Sequence, residues 1–223
     1  MPSAKAAPLD PVSIGYKIQM QSERFGNATL GRIQTSLNPT DSGYKIESVT
    51  KFQGMATIIS GSNLRESCEF SLEGDRAVSQ LYEGGKIKST DYNVGFDWEN
   101  RKLNFNDDEA IDMPVGYVVD NCAVWFAMSL RRGEGLQDEL IYVVDGKQKR
   151  IRGFRFRSLD EETIDTKIGE KEAIKLVLER DFRPNRTLTF WFSKEDQYLP
   201  LKMQEKRKSR TTTFSIETLE MLN

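Results

Sequence analysis

The chain has 223 residues, 38% of them hydrophobic, with 32 basic and 34 acidic side chains and a formal net charge of −2. That length and apolar fraction suffice for a sizeable core in one all-β domain, and the near-neutral balance excludes a global field that would gather nucleic acid or acidic lipid. Histidine is absent, which removes the commonest general base, zinc ligand and pH switch, and with them Ser-His and Cys-His nucleophile systems.

Residues 1–11 read as a disordered tail. Small residues followed by Pro8, Asp10 and Pro11 resemble what remains after signal-peptide cleavage, which predicts an exported protein; the alternative is a short cytosolic tail. Residues 12–223 read as a single β domain. Ile14, Tyr16, Ile18 and Met20 alternate with polar neighbours, the period of a half-buried strand. Phe25-Gly26-Asn27 and Asn38 to Gly43 are turns, and Tyr44, Ile46, Ser48 and Thr50 alternate again. Ala56–Ile59 is a short apolar run, Leu64–Leu72 alternates with Cys68 and Phe70 on one parity, and Glu83-Gly84-Gly85-Lys86 signals a hairpin. Short strands over Ile87–Phe96 and Leu103–Phe105 follow.

Residues 120–132 then read as the one helix. Asp120 is a good N-cap, Arg131 and Arg132 suit the negative end of the dipole, and Gly133 suits the left-handed position after it. Cys122 to Leu130 is apolar nearly all round, which predicts a buried helix rather than a membrane span of roughly 18 residues or more. Beyond it, Glu139–Val144 is a strand, Asp145-Gly146 a hairpin turn, and Gln148–Ser158 a basic strand. A bulge at Gly153 would put Arg150, Arg152, Arg155 and Arg157 on one face and Ile151, Phe154 and Phe156 on the other. Strands over Glu162–Ile168, Ala173–Asp181, Thr187–Phe192, Leu199–Lys206 and Thr211–Leu219 complete the set, with Arg183-Pro184-Asn185-Arg186 and Ser193 to Asp196 as turns. About a dozen strands at this spacing predict a mainly β fold: a single open or flattened antiparallel β-barrel with one central helix.

Candidate sites are few. Trp125, Phe126 and Met128 either line a cavity between helix and sheet or fill the core. The four arginines either meet phosphate, carboxylate or headgroups, or form a solvated face paired with Glu172, Glu179 and Asp181. Cys68 and Cys122 fit a disulfide or two buried thiols. Asn106 to Glu109 with Asp112 is acidic but lacks the spacing and turn glycine of a calcium loop, so no metal is expected. No phosphate-binding loop is visible, no cofactor is expected, and no catalytic residue or carboxylate pair stands out.

Several segments together resemble a known family. Glu162-Thr163-Ile164-Asp165-Thr166 to Gly169, Trp191-Phe192-Ser193, Leu199-Pro200-Leu201-Lys202, Tyr16-Lys17-Ile18, Gly31 and Tyr44-Lys45-Ile46, with the helix, resemble the bacterial domain-of-unknown-function family 3108 from Val12 to Leu219. That family has Asp-Pro-Leu-Ser where this chain has Asp120-Asn121-Cys122-Ala123, so the helix start is weaker here. The resemblance implies periplasmic export and a fold similar to lipoprotein carriers, an open antiparallel barrel with a helix against the opening. It implies no activity, so no catalytic residue is carried over. The expectation is a non-enzymatic envelope protein that binds a lipid-like ligand in a helix-covered cleft. The alternative is an interaction or scaffold protein using a sheet edge or the arginine strand. An envelope polysaccharide hydrolase is the third reading. No nucleic-acid partner is expected, although Phe154 and Phe156 interleave the arginines.

Overall fold

Alternation along the chain gives one continuous sheet. The computed structural model describes residues 9–24, 26–106, 109–131, 139–180 and 186–222. The elements are β1 (Val12–Ser22), β2 (Gly26–Thr40), β3 (Gly43–Phe52), α1 (Met55–Ser60), β4 (Leu64–Glu73), β5 (Arg76–Lys86), β6 (Tyr92–Asp97), β7 (Lys102–Phe105), β8 (Ala110–Asp112) and β9 (Tyr117–Asp120). They continue with α2 (Val124–Leu130), β10 (Leu140–Asp145), β11 (Arg150–Thr166), β12 (Gly169–Arg180), β13 (Arg186–Ser193), β14 (Pro200–Arg207) and β15 (Arg210–Met221). The spatial order runs from β8 down to β1, then from β15 down to β9. Every neighbouring pair is antiparallel except β9 and β10. First and last strands therefore pair in the middle of the sheet, and its two edges, β8 and β9, fall mid-chain. The sheet is large and strongly bent, and it is not closed into a barrel.

Register shifts at Gly15/Tyr16, Ile18/Gln19, Glu69/Phe70, Phe156/Ser158 and Trp191/Phe192 supply bend points. Side chains reach across the gap between the edges: the Ser79 hydroxyl donates to Asp120 at 2.5 Å, and Lys149 pairs with Glu109 at 2.9 Å. The inner face carries the core, including Ile14, Ile46, Phe70, Tyr82, Leu176 and Leu201, closed by α2. Packed chain starts before Val12, since Leu9 is buried and its amide donates to the Tyr44 hydroxyl at 3.0 Å.

Because successive strands reverse direction, connections gather at two ends. The β1–β2, β3–β4, β5–β6, β10–β11 and β14–β15 connections share one end; the β2–β3, β4–β5, β6–β7, β11–β12 and β13–β14 connections share the other. α2 runs inside the bend toward the second end, where Arg131 meets Asp75 at 3.4 Å and also Glu139. That end is filled, and the first is open.

Three local expectations are corrected. The helix is shorter than residues 120–132, because Asp120 remains extended in β9 and its carboxylate holds a turn ahead of the helix. The apolar run at Ala56–Ile59 is helix α1, flanked by Gly54 and by Gly61, which takes the left-handed conformation and donates to the Thr57 carbonyl. Gly84 and Gly85 lie inside β5 and the turn comes after them. A Cβ on Gly84 would run into the Tyr92 ring and one on Gly85 into the Ser89 carbonyl, so these glycines serve close approach.

Gly43 is constrained in the same way. An added Cβ would overlap the Phe70 carbonyl oxygen and lie 2.7 Å from the Ser71 Cα, both on the neighbouring strand β4. Gly43→Ala is expected to cost about 3 kcal/mol in urea unfolding, because backbone must move apart. Gly74→Ala, in a turn with open space around it, should cost about 1 kcal/mol from its positive φ alone. Equal losses at the two sites would contradict the close-approach account.

Candidate functional site

At the open end the bent sheet and α2 enclose a cleft of about 460 Å³. Trp125 forms its floor, edge-on to Phe190 at 5.4 Å and to Phe214 at 6.2 Å, with Tyr16 at 6.4 Å. Phe126 and Met128 also border the cleft, so all three helix residues singled out in the sequence are brought to one place. The walls are mostly apolar, with Ile18, Ile33, Leu188 and Met203 among them. The volume lies in the range of roughly 300–1,000 Å³ usual for small-molecule sites.

The floor is tied to the wall at two adjacent strands. Asp120 is fully buried; one carboxylate oxygen accepts from the amides of Cys122 at 2.8 Å and Ala123 at 2.7 Å, and the other from Ser79 on β5. Ser79 in turn accepts from the Asp120 amide at 3.0 Å. Burial pushes the Asp120 carboxyl up to about 6, against the pull of these donors. One strand over, Cys68 on β4 is joined to Cys122 as a disulfide, with Cα atoms 6.1 Å apart. Ligand-type atoms of Cys68, Asp120 and Cys122 lie within 4.8 Å of one another. The sulfurs are bonded to each other and the carboxylate is filled by its donors, so the trio acts as a structural knot.

The basic strand differs from expectation. β10 and β11 pair without a break through Gly153, and the register shift lies at Phe156/Ser158 instead. Arg150 and Arg152 therefore share a face with Phe154, and Arg155 is on the other face. Arg152 pairs with Asp145 at 2.9 Å and also contacts Gln148, while Arg150 is exposed at the turn. The described arginines do not form a single patch. The Arg157 and Glu179 side chains, Phe25, Asp107, Asp108, Arg132, Gly133, Asp181, the Arg183–Asn185 turn and the tail through Pro8 lie outside the described residues. Of the remaining acidic stretch, Glu109 pairs with Lys149 and Asp112 with Lys102 at 2.7 Å.

Polar groups in the cleft were not singled out in the sequence. Glu66 accepts from the Tyr82 hydroxyl at 2.6 Å and the Tyr92 hydroxyl at 3.0 Å, and burial beside this carboxylate raises both phenols well above the usual tyrosine range. Across the cleft Glu205 is held by Arg186 and by Arg207 at 2.6 Å. Their parity was visible: Glu66 alternates with Cys68 and Phe70, and Glu205 with Leu201 and Met203.

The profile of the family described as protein of unknown function (DUF3108) matches residues 15–214. The chain belongs to that family. No curated protein matches it. A β-barrel-like protein of domain of unknown function DUF1849 from Brucella abortus is similar over 98% of this chain and 100% of its own, at TM-score 0.63 and 12% identity, a likeness of fold. Two further structures are more distant: a domain described as an outer membrane lipoprotein-sorting protein from Vibrio parahaemolyticus (TM-score 0.33, 9% identity, 96% of this chain and 86% of that one) and a DUF1329 family protein from Desulfovibrio piger (TM-score 0.32, 9% identity, 96% and 86%). No helix among the described residues of this DUF3108 member is long and apolar enough to cross a membrane. Of the segments that carry the family resemblance, Tyr16, Ile18, Ile46, Pro200 and the helix border the cleft, while the others build outer face and turns. Trp191 donates to Glu162 and lies under Lys202 at 4.6 Å, Ser193 donates to Asp196 at 2.8 Å, and Thr166 donates to the Gly169 carbonyl at 2.6 Å.

Proposed function

We propose that this protein binds a lipid-like or other amphipathic ligand in the cleft, without catalysis, in the bacterial envelope. The observation that carries the reading is the cleft itself: largely apolar, floored by Trp125, open at one end and closed by α2 at the other. A Cys68–Cys122 bridge suits an oxidising compartment such as the periplasm. Among the described residues, Glu66 and Glu205 are the carboxylates that border the cleft. They stand on β4 and β14, five strands apart, and each is engaged by two donors, an arrangement that offers no acid and nucleophile pair for a glycosidase. The scaffold alternative loses its arginine face, and edge β8 is only three residues long.

Native mass spectrometry of protein prepared from periplasm without detergent tests the reading. A stoichiometric, solvent-extractable lipid-like mass is the expected result, and a bare protein that also fails to bind dansylundecanoic acid overturns it. Leu188→Trp, which fills the cleft from its wall, should lower binding of that probe about tenfold or more while the melting temperature holds. Unchanged binding would place the ligand elsewhere.

A further inference from the structure

The net charge of −2 conceals a separation of charge between the two ends of the sheet. At the cleft mouth, β3 carries Lys51 near its end, Lys86 and Lys88 flank the start of the β5–β6 turn, and Lys206, Lys208 and Arg210 crowd the β14–β15 turn. All six are exposed, and none is ion-paired to another described residue. Glu23, Glu66, Glu83 and Asp91 are the nearby described acids without an ion pair to a described residue; Glu66 is held instead by the Tyr82 and Tyr92 hydroxyls. The filled end leans acidic instead, with Asp41, Glu73, Asp97, Glu99 and Asp165 in or beside its turns against Arg101 and Lys167, while Glu195 there pairs with Lys171 at 3.5 Å. The segregation follows from strand reversal, which sends alternate turns to opposite ends.

The same basic rim carries apolar side chains in the open. Helix α1 contains no charged residue, and Met55 and Ile58 are 72% and 74% exposed; Ile87, between Lys86 and Lys88, is 43% exposed. The rim is continuous. Ser22 pairs with Arg210, the Gln53 amide donates to the Leu30 carbonyl at 2.9 Å, and Leu64 pairs with Lys86. Leu30, Phe52 and Leu64, which follow or precede these turns, also line the cleft. Exposed apolar tips ringed by lysine and arginine are the chemistry of an interfacial membrane contact, where acyl chains receive the apolar groups and headgroup phosphates the cations.

We propose that this rim docks on an anionic bilayer surface, with Met55, Ile58 and Ile87 inserted and the cleft mouth facing the lipid. Docking needs no ligand in the cleft, so it stands or falls separately from the ligand-binding reading. The test is co-sedimentation of the full chain with sucrose-loaded phosphatidylcholine vesicles, with and without phosphatidylglycerol, at low and high salt. Binding should require phosphatidylglycerol and weaken with salt, although the protein as a whole is anionic. Lys206→Glu, Lys208→Glu and Arg210→Glu combined should reduce partitioning about a hundredfold. Met55→Asp with Ile58→Asp should reduce it about tenfold or more. These are exposed positions, and circular dichroism checks that both variants fold. Equal sedimentation with the two vesicle types, or none, overturns the proposal, as does a charge-reversed variant that binds like wild type. Loss on charge reversal with no loss at Met55 and Ile58 also overturns it, marking the rim as a site for soluble polyanions.

Discussion

Replacing Cys68 and Cys122 together with alanine is expected to remove about 4 kcal/mol of stability, the loop-closure contribution of a bridge that spans a sequence separation of 54. The effect should be large because the bridge joins parts of the sheet that strand pairing does not. Cys68 sits in β4, paired to β3 and β5, while Cys122 lies between β9 and α2 on the far edge of the order. Without the bridge, the turn before α2 is held mainly through Asp120 and Ser79. Urea unfolding of the double variant and of wild type with and without reductant checks this, since reduced wild type should approach the variant. Probe binding should fall as well, because the tether positions the helix that carries Trp125. Midpoints that agree within error would show that packing alone fixes the helix.

Much of the architecture was legible in the sequence because the inner face alternates cleanly. Ile14, Tyr16 and Ile18 have the period expected, and the all-round apolar stretch from Cys122 to Leu130 marks α2 as buried. What remained hidden depended on partners. The helix start was misplaced because an aspartate that caps a helix and one that ends a strand by holding the following turn use the same carboxylate-to-amide bonds. α1 was missed because a stretch as short as Ala56–Ile59 satisfies either period, and only the flanking glycines and packing on β2 and β3 decide. Arg152 lies on the face with Phe154, where sequence reasoning would not place a cation, because Asp145 across the hairpin neutralises it.

The candidate cleft was half legible for the same reason. Its floor is local in sequence, and Trp125, Phe126 and Met128 could be singled out together. Its walls come from strands far apart in the chain, so Glu66, Arg186 and Glu205 could be recognised as facing inward but not as bordering one space. The sorting of charge by end was also hidden. It needs the strand directions, which composition does not contain.

Asp120 should give this protein a stability component that weakens as pH rises. The carboxyl titrates near 3.8 when unfolded and about 6 when folded, raised by burial. Between those values the folded state binds the extra proton, so stability falls as pH climbs through the window and the full cost applies above it. A shift of this size corresponds to about 3 kcal/mol. Other carboxylates act in the opposite direction: hydrogen bonds lower Asp97 and Glu162, which therefore lose stabilisation as pH falls. The Asp120 effect is best read as a difference. Asp120→Asn keeps an oxygen for the amides of Cys122 and Ala123 and supplies an amide donor toward Ser79. It should match wild type near pH 4 and exceed it by about 3 kcal/mol near pH 8 in urea unfolding. If the difference does not change with pH, or if the variant is weaker at pH 8, the three donors outweigh burial and the buried carboxylate stabilises the floor it holds.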